Sequence, residues 1–151
     1  MQGATNWYSP SYNPLTKLFY LAVWENRSIY RKGDQVYTPG NRYIGSVPLI
    51  DLPDEPGHGA IRALNPSTGD KVWEYRLHTK PWAGVLTTAG NLLFGGSDEG
   101  HYFALDAETG KELWRQYCGG IIRANGISYS SKGKQVMAIA AGNSIFTFAL
   151  P

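Results

Sequence analysis

Residues 59–73 read GAIRALNPSTGDKVW, and residues 100–114 read GHYFALDAETGKELW. The two stretches share a glycine at the start, an alanine at the fifth position, a central Thr-Gly pair and a final tryptophan. All of these matches hold at one offset, 41 residues. Several matches at a single offset indicate an internal repeat, which is the pattern that bears most directly on fold class.

Each copy of the repeat has the pattern of a β-hairpin. A strand ends at Ala-Leu, an Asn or Asp opens the turn, and Gly69 or Gly110 can take the positive φ of a tight turn. The Asn or Asp side chain can also bond to the backbone two residues further on. The second strand then carries Trp73 in one copy and Trp114 in the other.

Further strand pairs flank the two copies. We predict them at residues 11–14 with 17–23, 82–88 with 91–96, and 124–129 with 135–141. With the hairpins they form about three four-stranded antiparallel units, and a period near 40 residues with four strands per unit is typical of β-propellers. The last unit is predicted to be incomplete, because residues 144–150 match the strand before the Thr-Gly turn and no Trp-bearing strand follows them. The predicted fold is therefore all-β, a partial β-propeller.

The chain divides into four predicted parts. Residues 1–24 hold the strands of a first blade, 25–58 an inserted loop, 59–117 the repeat region, and 118–151 a last incomplete blade. The insertion is rich in Gly and Pro, with a short strand predicted around 43–47. Long insertions on a rigid scaffold often cover a binding face, although a solvated connector is an equal alternative.

Composition excludes several classes of function. The net charge is only +2 with no dense basic run, which argues against nucleic-acid binding. The single cysteine, Cys118, excludes an internal disulfide and a multi-cysteine metal site, and we expect it to be a small buried hydrophobe. No apolar run reaches the ~18 residues of a membrane helix. The first residues also lack the pattern of a signal peptide.

No catalytic or metal-binding residue is predicted. The glycine-rich stretch 95–100 lacks the Lys-Ser/Thr of a phosphate loop. The three histidines, at positions 58, 78 and 101, do not have the spacing of metal ligands. Asp98 and Glu99 lie in a predicted turn, where a carboxylate is more often a loop residue than a general base.

The second copy of the repeat, Ala-Leu-Asp-x-x-Thr-Gly-Lys-x-x-Trp, resembles the tryptophan-docking motif of the PQQ-dependent (quinoprotein) alcohol dehydrogenases. The resemblance covers nearly the whole chain. It implies an eight-bladed propeller, of which this chain would hold a C-terminal part. It also implies that Trp73 and Trp114, with Gly69 and Gly110, are structural docking residues between neighbouring blades.

Two other segments resemble places where this family contacts its cofactor. One is Asn6-Trp7, ahead of Pro10-Ser11-Tyr12-Asn13-Pro14, and the other is Trp82-Ala83-Gly84. The resemblance implies cofactor contacts from Asn6, Trp7, Trp82 and Ala83, the last through its backbone. PQQ is a planar quinone with three carboxylates, so the Asn6 amide and the Trp82 indole N–H are suitable donors. The alternatives are a turn residue for Asn6 and packing roles for both tryptophans.

The resemblance further implies a parent enzyme that oxidises a small alcohol in the periplasm, using PQQ and Ca²⁺. The Ca²⁺ ligands, the catalytic Asp and the cofactor-binding Arg or Lys of that family match nothing here and are expected outside this chain. The chain alone is then inactive, and its partners are the remaining propeller blades or other copies of itself. The alternative is a non-enzymatic propeller of the outer-membrane assembly type, and the two cofactor-like segments favour the enzyme.

Overall fold

The computed structural model describes residues 4–29, 31–45, 50–51 and 57–149, and these residues form strands, turns and loops. The thirteen strands, in chain order, are β1 Ser11–Asn13, β2 Leu18–Glu25, β3 Ser28–Ile29, β4 Ile50–Asp51, β5 His58–Leu64, β6 Lys71–Leu77, β7 Leu86–Thr87, β8 Leu92–Gly96, β9 His101–Asp106, β10 Glu112–Tyr117, β11 Ile127–Ser131, β12 Lys134–Ala141 and β13 Ser144–Ala149. None of the described residues belongs to a helix able to cross a bilayer.

Three antiparallel sheets follow one another along the chain. The first has the order β1-β2-β5-β6, the second β7-β8-β9-β10 and the third β11-β12-β13. In the first sheet Ala63 pairs with Tyr20 on one side and Trp73 on the other. This arrangement confirms the all-β prediction of successive antiparallel units; among the described residues two units have four strands and the third has three.

Two of the predicted strands are shorter or shifted. The strand predicted at 82–88 is only Leu86–Thr87, and the strand predicted at 124–129 begins at Ile127 and ends at Ser131. The residues just before these strands bond elsewhere: Val85 N donates to Ser9 O at 3.0 Å, and Gly84 N donates to the Asn125 side chain at 2.8 Å. Tertiary hydrogen bonds therefore replace ladder pairing at these positions.

The insertion leaves the first sheet after β2 and returns at β5, where Glu25 pairs with His58. In the part of the insertion that the structure describes, the strands are β3 and β4, which pair with each other. The prediction of a short strand around 43–47 was wrong for residues 43–45, which lie in no strand. Residues 46–47 fall outside the described residues. The Gln35 amide accounts for the error, since it accepts hydrogen bonds from Ile44 N at 3.0 Å and Gly45 N at 3.2 Å.

The first two sheets pack face to face through a buried cluster. Trp73 lies at its outer end, 9% exposed, and its indole Nε1–H donates to Ala107 O at 3.1 Å. Tyr20 OH donates to the same carbonyl at 2.9 Å. A Cβ added to Gly110 would come within 2.6 Å of the Trp73 ring. The turn of the second hairpin is therefore packed directly against the tryptophan of the first.

The second and third sheets share another apolar cluster, built around Phe94, Tyr102, Ile122 and Met137. Trp114 borders it, with its ring 5.0 Å from that of Phe148, and is 36% exposed. Trp114 thus repeats the position of Trp73 on its own sheet but is covered far less.

Glu74 on β6 is the centre of an ion cluster on the face of the first sheet that points away from the second. It accepts hydrogen bonds from Arg62 Nε at 2.7 Å, Lys71 Nζ at 3.1 Å and Arg76 Nε at 3.2 Å. Burial would raise the pKa of Glu74, but these hydrogen bonds outweigh it and lower that pKa to about 2. The carboxylate is therefore charged at any pH where the protein is handled.

This lowered pKa predicts an acid-dependent loss of stability. Because the folded-state pKa lies below the unfolded value, the contribution is complete above about pH 5 and is lost as the pH falls towards about 2. We expect Glu74→Gln to lower the free energy of unfolding by about 2 kcal/mol at neutral pH, discounted for the exposed Lys71 and Arg76. The same change should flatten the dependence of stability on pH in that window, measured by urea denaturation. Glu99→Gln, on an exposed turn, is the matched control, and an equal effect there would contradict this role for Glu74.

Candidate functional site

Three segments lead into the first strands of the three sheets. They are residues 4–10 before β1, 78–85 before β7 and 118–126 before β11, and we call them the lead-in segments. Strands alternate in direction within each sheet, so these segments, the end of β2 and the start of β5 all lie at the same end of the strands. The fold therefore gathers the three lead-in segments, distant in sequence, at the end where the insertion leaves and rejoins the first sheet.

Asn125 connects all three lead-in segments. Its side-chain Oδ1 accepts a hydrogen bond from Gly84 N at 2.8 Å, and its Nδ2 donates to Ser9 Oγ at 2.7 Å. Any side chain at position 84 would collide with this amide and with the backbone at Ser9. The glycine that follows Trp82-Ala83 thus permits the close approach of the three segments.

Trp82 lies half-buried at this junction. Its ring meets the edge of the buried Tyr8 ring at a centroid distance of 6.2 Å, and Tyr8 in turn contacts Trp7 at 5.5 Å. The structure therefore brings together the two segments in which cofactor contacts were predicted. They are joined through Tyr8, which was not among the predicted residues.

Two cations lie over the Trp82 ring. Lys80 Nζ is 5.4 Å from the ring centroid and Arg123 Cζ is 5.6 Å from it. Lys80 Nζ also lies 4.2 Å from the ring centroid of Trp24 on β2, so the ammonium contacts two indole rings. Arg123 forms a 3.5 Å ion pair with Asp98 in the β8–β9 turn.

The four predicted cofactor residues differ in how they are placed. Trp82 is accessible at the junction, and Trp7 is 64% exposed. Asn6 is exposed, and its Oδ1 accepts a hydrogen bond from Trp7 N at 2.9 Å, which leaves its NH₂ group as the available donor. Ala83 is buried, with its methyl group facing Gly96 and Ile122, so only its backbone can face a ligand.

Sequence reasoning missed the other residues that build this junction, namely Tyr8, Trp24, Lys80, Arg123 and Asn125. Lys80 and Tyr8 had a signal, since each lies within two residues of a predicted contact. Arg123 and Asn125 had none, because their roles arise from packing of the third sheet against the second.

The chemistry of this donor set suits a planar anion. Indole rings offer flat apolar faces and N–H donors, the Asn6 amide adds a donor, and Lys80 and Arg123 add positive charge. Among the described residues, the titratable side chains in contact with the Trp82 ring are Tyr8, Lys80 and Arg123. Across the described residues, no three His, Cys, Asp or Glu side chains lie close enough together to hold a metal ion.

Repeated antiparallel sheets, with the tryptophan of the first docked on the hairpin turn of the second, define a propeller of the PQQ-repeat class. The family model PQQ_2, described as "Outer membrane protein assembly factor BamB", matches residues 57–149. This is more than half of the chain, and the chain belongs to this family of repeat proteins.

The similar proteins of known activity are quinoproteins. The chain is 36% identical over 140 residues to a quinoprotein ethanol dehydrogenase of Pseudomonas aeruginosa, covering 93% of this chain and 22% of that protein. A structure of the quinohemoprotein alcohol dehydrogenase ADHIIG of Pseudomonas putida matches with a TM-score of 0.80 and 28% identity, over 94% of this chain and 22% of that one. A europium-containing methanol dehydrogenase matches with a TM-score of 0.72 and 30% identity, over 87% and 24%. The chain thus spans about a fifth to a quarter of the length of these relatives.

Proposed function

We propose that this chain is a propeller segment of a PQQ-dependent alcohol dehydrogenase and forms one wall of the PQQ site. The observation that carries the proposal is the meeting of the three lead-in segments around Trp82. This junction places the Asn6-Trp7 and Trp82-Ala83-Gly84 segments side by side, as a shared ligand requires. The similarity to quinoprotein dehydrogenases over more than nine-tenths of the chain supports the same proposal.

The residues of this chain would bind and orient PQQ, not perform the oxidation. When bound, PQQ supplies the two-electron acceptor for the alcohol. Trp82 would offer its indole N–H and an apolar ring, Asn6 its amide NH₂, and Trp7 an exposed ring. Tyr8 and Asn125 hold these groups in place. The catalytic base and the metal ligands, for Ca²⁺ or a lanthanide, would belong to other blades of the enzyme.

The proposal extends to partners and location. A cavity of about 490 Å³ beside Trp114, lined by Leu92, Phe94, Met137 and Phe148, is apolar. At the equivalent place Trp73 is covered by the turn at Gly110, so a further strand and turn of this kind would cover Trp114. The remaining blades of the enzyme, or other copies of this chain, would supply that strand and turn.

The substrate of the whole enzyme would be a small alcohol, and its compartment would be the periplasm.

Titration with PQQ tests the cofactor site. We expect PQQ with Ca²⁺ to quench the tryptophan fluorescence of the chain, and Trp82→Phe to weaken binding by roughly tenfold, since it removes an N–H donor to an anionic ligand. Trp114→Phe, on β10 and outside the lead-in segments, is the matched control and should bind as the wild type does. Absence of quenching, or equal affinity for the Trp82 and Trp114 variants, would refute the proposed site.

A second candidate function is a non-enzymatic propeller module that binds protein partners. The description of the matching family model as an outer-membrane assembly factor favours it. A module of this kind does not need a site for a planar anion, so under this second candidate function the wild-type chain does not bind PQQ. The same titration therefore separates the two candidates.

A further inference from the structure

We propose that a polar pocket on the first sheet binds a small, doubly charged oxyanion of the phosphate type. The pocket lies over β5 and β6, on the face that points away from the second sheet, and has a volume of about 400 Å³. We call it the outward pocket. The inference goes beyond the proposed function and does not depend on it, because none of the residues that line the outward pocket belongs to the lead-in segments.

The outward pocket has a surplus of positive charge. Four cationic side chains and two carboxylates line it: Arg27, Arg62, Lys71, Arg76, Glu25 and Glu74. Even without Arg27 the cations outnumber the carboxylates. A concave surface with an excess of one sign of charge attracts ions of the opposite sign, so the outward pocket favours an anion.

Two of these cations keep hydrogen-bond donors that the carboxylates do not use. Among the described residues, Arg76 makes one hydrogen bond, from Nε to Glu74 Oε1 at 3.2 Å, so its two terminal amino groups remain as donors. Lys71 Nζ likewise has Glu74 as its partner, at 3.1 Å, and keeps further N–H donors. The Arg76 side chain is 72% exposed and that of Lys71 50% exposed, so an anion can reach both from solvent.

His58 supplies a further donor from the start of β5. Its Nε2 atom is buried, makes no hydrogen bond among the described residues, and lies 3.7 Å from Glu74 Oε1. A buried polar atom without a partner costs free energy, and an anion in the outward pocket would give the Nε2–H form of His58 an acceptor. A phosphate group suits this arrangement, because its several strong acceptor oxygens can meet donors that converge from different side chains.

The alternative is an ion cluster with a structural role only, which ties β2, β5 and β6 together. Such a cluster responds to salts through screening alone, so phosphate and chloride at the same ionic strength act alike on it. A site for a doubly charged oxyanion instead distinguishes the two salts and saturates as phosphate is added.

The test is a titration of the full chain with inorganic phosphate at a constant ionic strength of about 0.05 M, followed by the NMR signals of the His58 and Arg76 side chains. We expect both signals to shift along one saturable curve and to stay in place with chloride. Read from the His58 signal, Lys71→Gln and Arg76→Gln should each weaken binding roughly three- to fivefold, the effect of one charge removed from contact distance in a solvated site. Lys134→Gln, on β12 of the third sheet, removes a positive charge outside the outward pocket and is the matched control.

Two further variants separate charge from packing. Lys71→Arg keeps the positive charge and should bind phosphate about as the wild type does. Glu25→Gln should tighten binding by roughly threefold, because it removes a carboxylate that competes with the anion for Arg62. Such a gain cannot come from unfolding, and circular dichroism of each variant shows whether it has kept the fold.

Methyl phosphate, used as a second probe in the same titration, identifies the source of the anion. Binding as tight as that of inorganic phosphate, or tighter, indicates a phosphate ester as the ligand. Weaker binding indicates the free anion. Both results support a phosphate site.

The inference is refuted if phosphate and chloride shift the His58 and Arg76 signals equally, or if the shifts do not saturate. It is also refuted if Lys71→Gln and Arg76→Gln bind phosphate as the Lys134→Gln control does, or if Lys71→Arg binds as poorly as Lys71→Gln. None of these outcomes bears on PQQ binding, which the titration of Trp82→Phe tests separately.

Discussion

Trp73→Ala is expected to lower the free energy of unfolding by about 3–5 kcal/mol, the usual cost of truncating a buried tryptophan. The ring is 9% exposed, lies 5.7 Å from the Tyr20 ring and covers the turn at Gly110. Its loss leaves a cavity between the first and second sheets. It also removes the hydrogen bond from the indole Nε1–H to Ala107 O, which joins β6 of the first sheet to the hairpin turn of the second. Urea denaturation followed by circular dichroism measures the change.

Two further variants show which part of the Trp73 contact matters. Trp73→Phe removes the hydrogen bond to Ala107 O but keeps most of the ring, and the carbonyl retains Tyr20 OH as a partner, so we expect a loss of only about 1 kcal/mol. Trp114→Ala should cost clearly less than Trp73→Ala, because Trp114 is 36% exposed. Equal losses for Trp73→Ala and Trp114→Ala would contradict this account of docking.

Gly110→Ala is expected to lower the free energy of unfolding by about 2–4 kcal/mol, through backbone strain and overpacking together. The residue has φ +75°, which disfavours any side chain, and the new methyl carbon would lie 2.6 Å from Trp73 Cε3. The tryptophan cannot yield easily, since its other side packs on Tyr20.

The chain contains its own control for this prediction. Gly69 occupies the same position in the first hairpin, with φ +80°, but no atom lies within 4 Å of the place where its Cβ would be. Gly69→Ala should therefore show the backbone strain alone, about 1 kcal/mol. The difference between the two variants, measured as urea midpoints, isolates the contact with Trp73. Equal losses of stability in the two variants would contradict the close contact between Gly110 and the Trp73 ring.

The two hairpins are the part of the fold that the sequence predicts best. The two hairpins form where the repeat predicted them, since the turn depends on its own residues: Asp106 Oδ1 accepts hydrogen bonds from Thr109 N at 2.8 Å and Glu108 N at 3.1 Å. The pairing of Ala63 with Trp73 and of Ala104 with Trp114 follows from that turn geometry.

The strand predictions were wrong where backbone N–H groups donate to side chains or carbonyls outside the predicted strand pair. Gly84 and Val85 read as strand residues, but they bond to Asn125 and Ser9, which are 41 and 76 positions away. In the insertion, the Gln35 amide takes the hydrogen bonds of Ile44 and Gly45 that a strand would have used. No local pattern signals such partners.

The candidate site likewise has one part that the sequence predicts and another that only the folded structure decides. The repeat, the hairpin turns, the all-β class and the two tryptophan-bearing segments can be obtained from the order of residues, because each depends on interactions between near neighbours or on periodicity. That Trp82 lies against Tyr8, that Lys80 contacts both Trp24 and Trp82, and that Arg123 and Asn125 join them follows only from the folded sheets. Trp82 and Arg123, 41 positions apart, and Ser9 and Asn125, 116 positions apart, meet there because the packing of one sheet on the next brings them within reach.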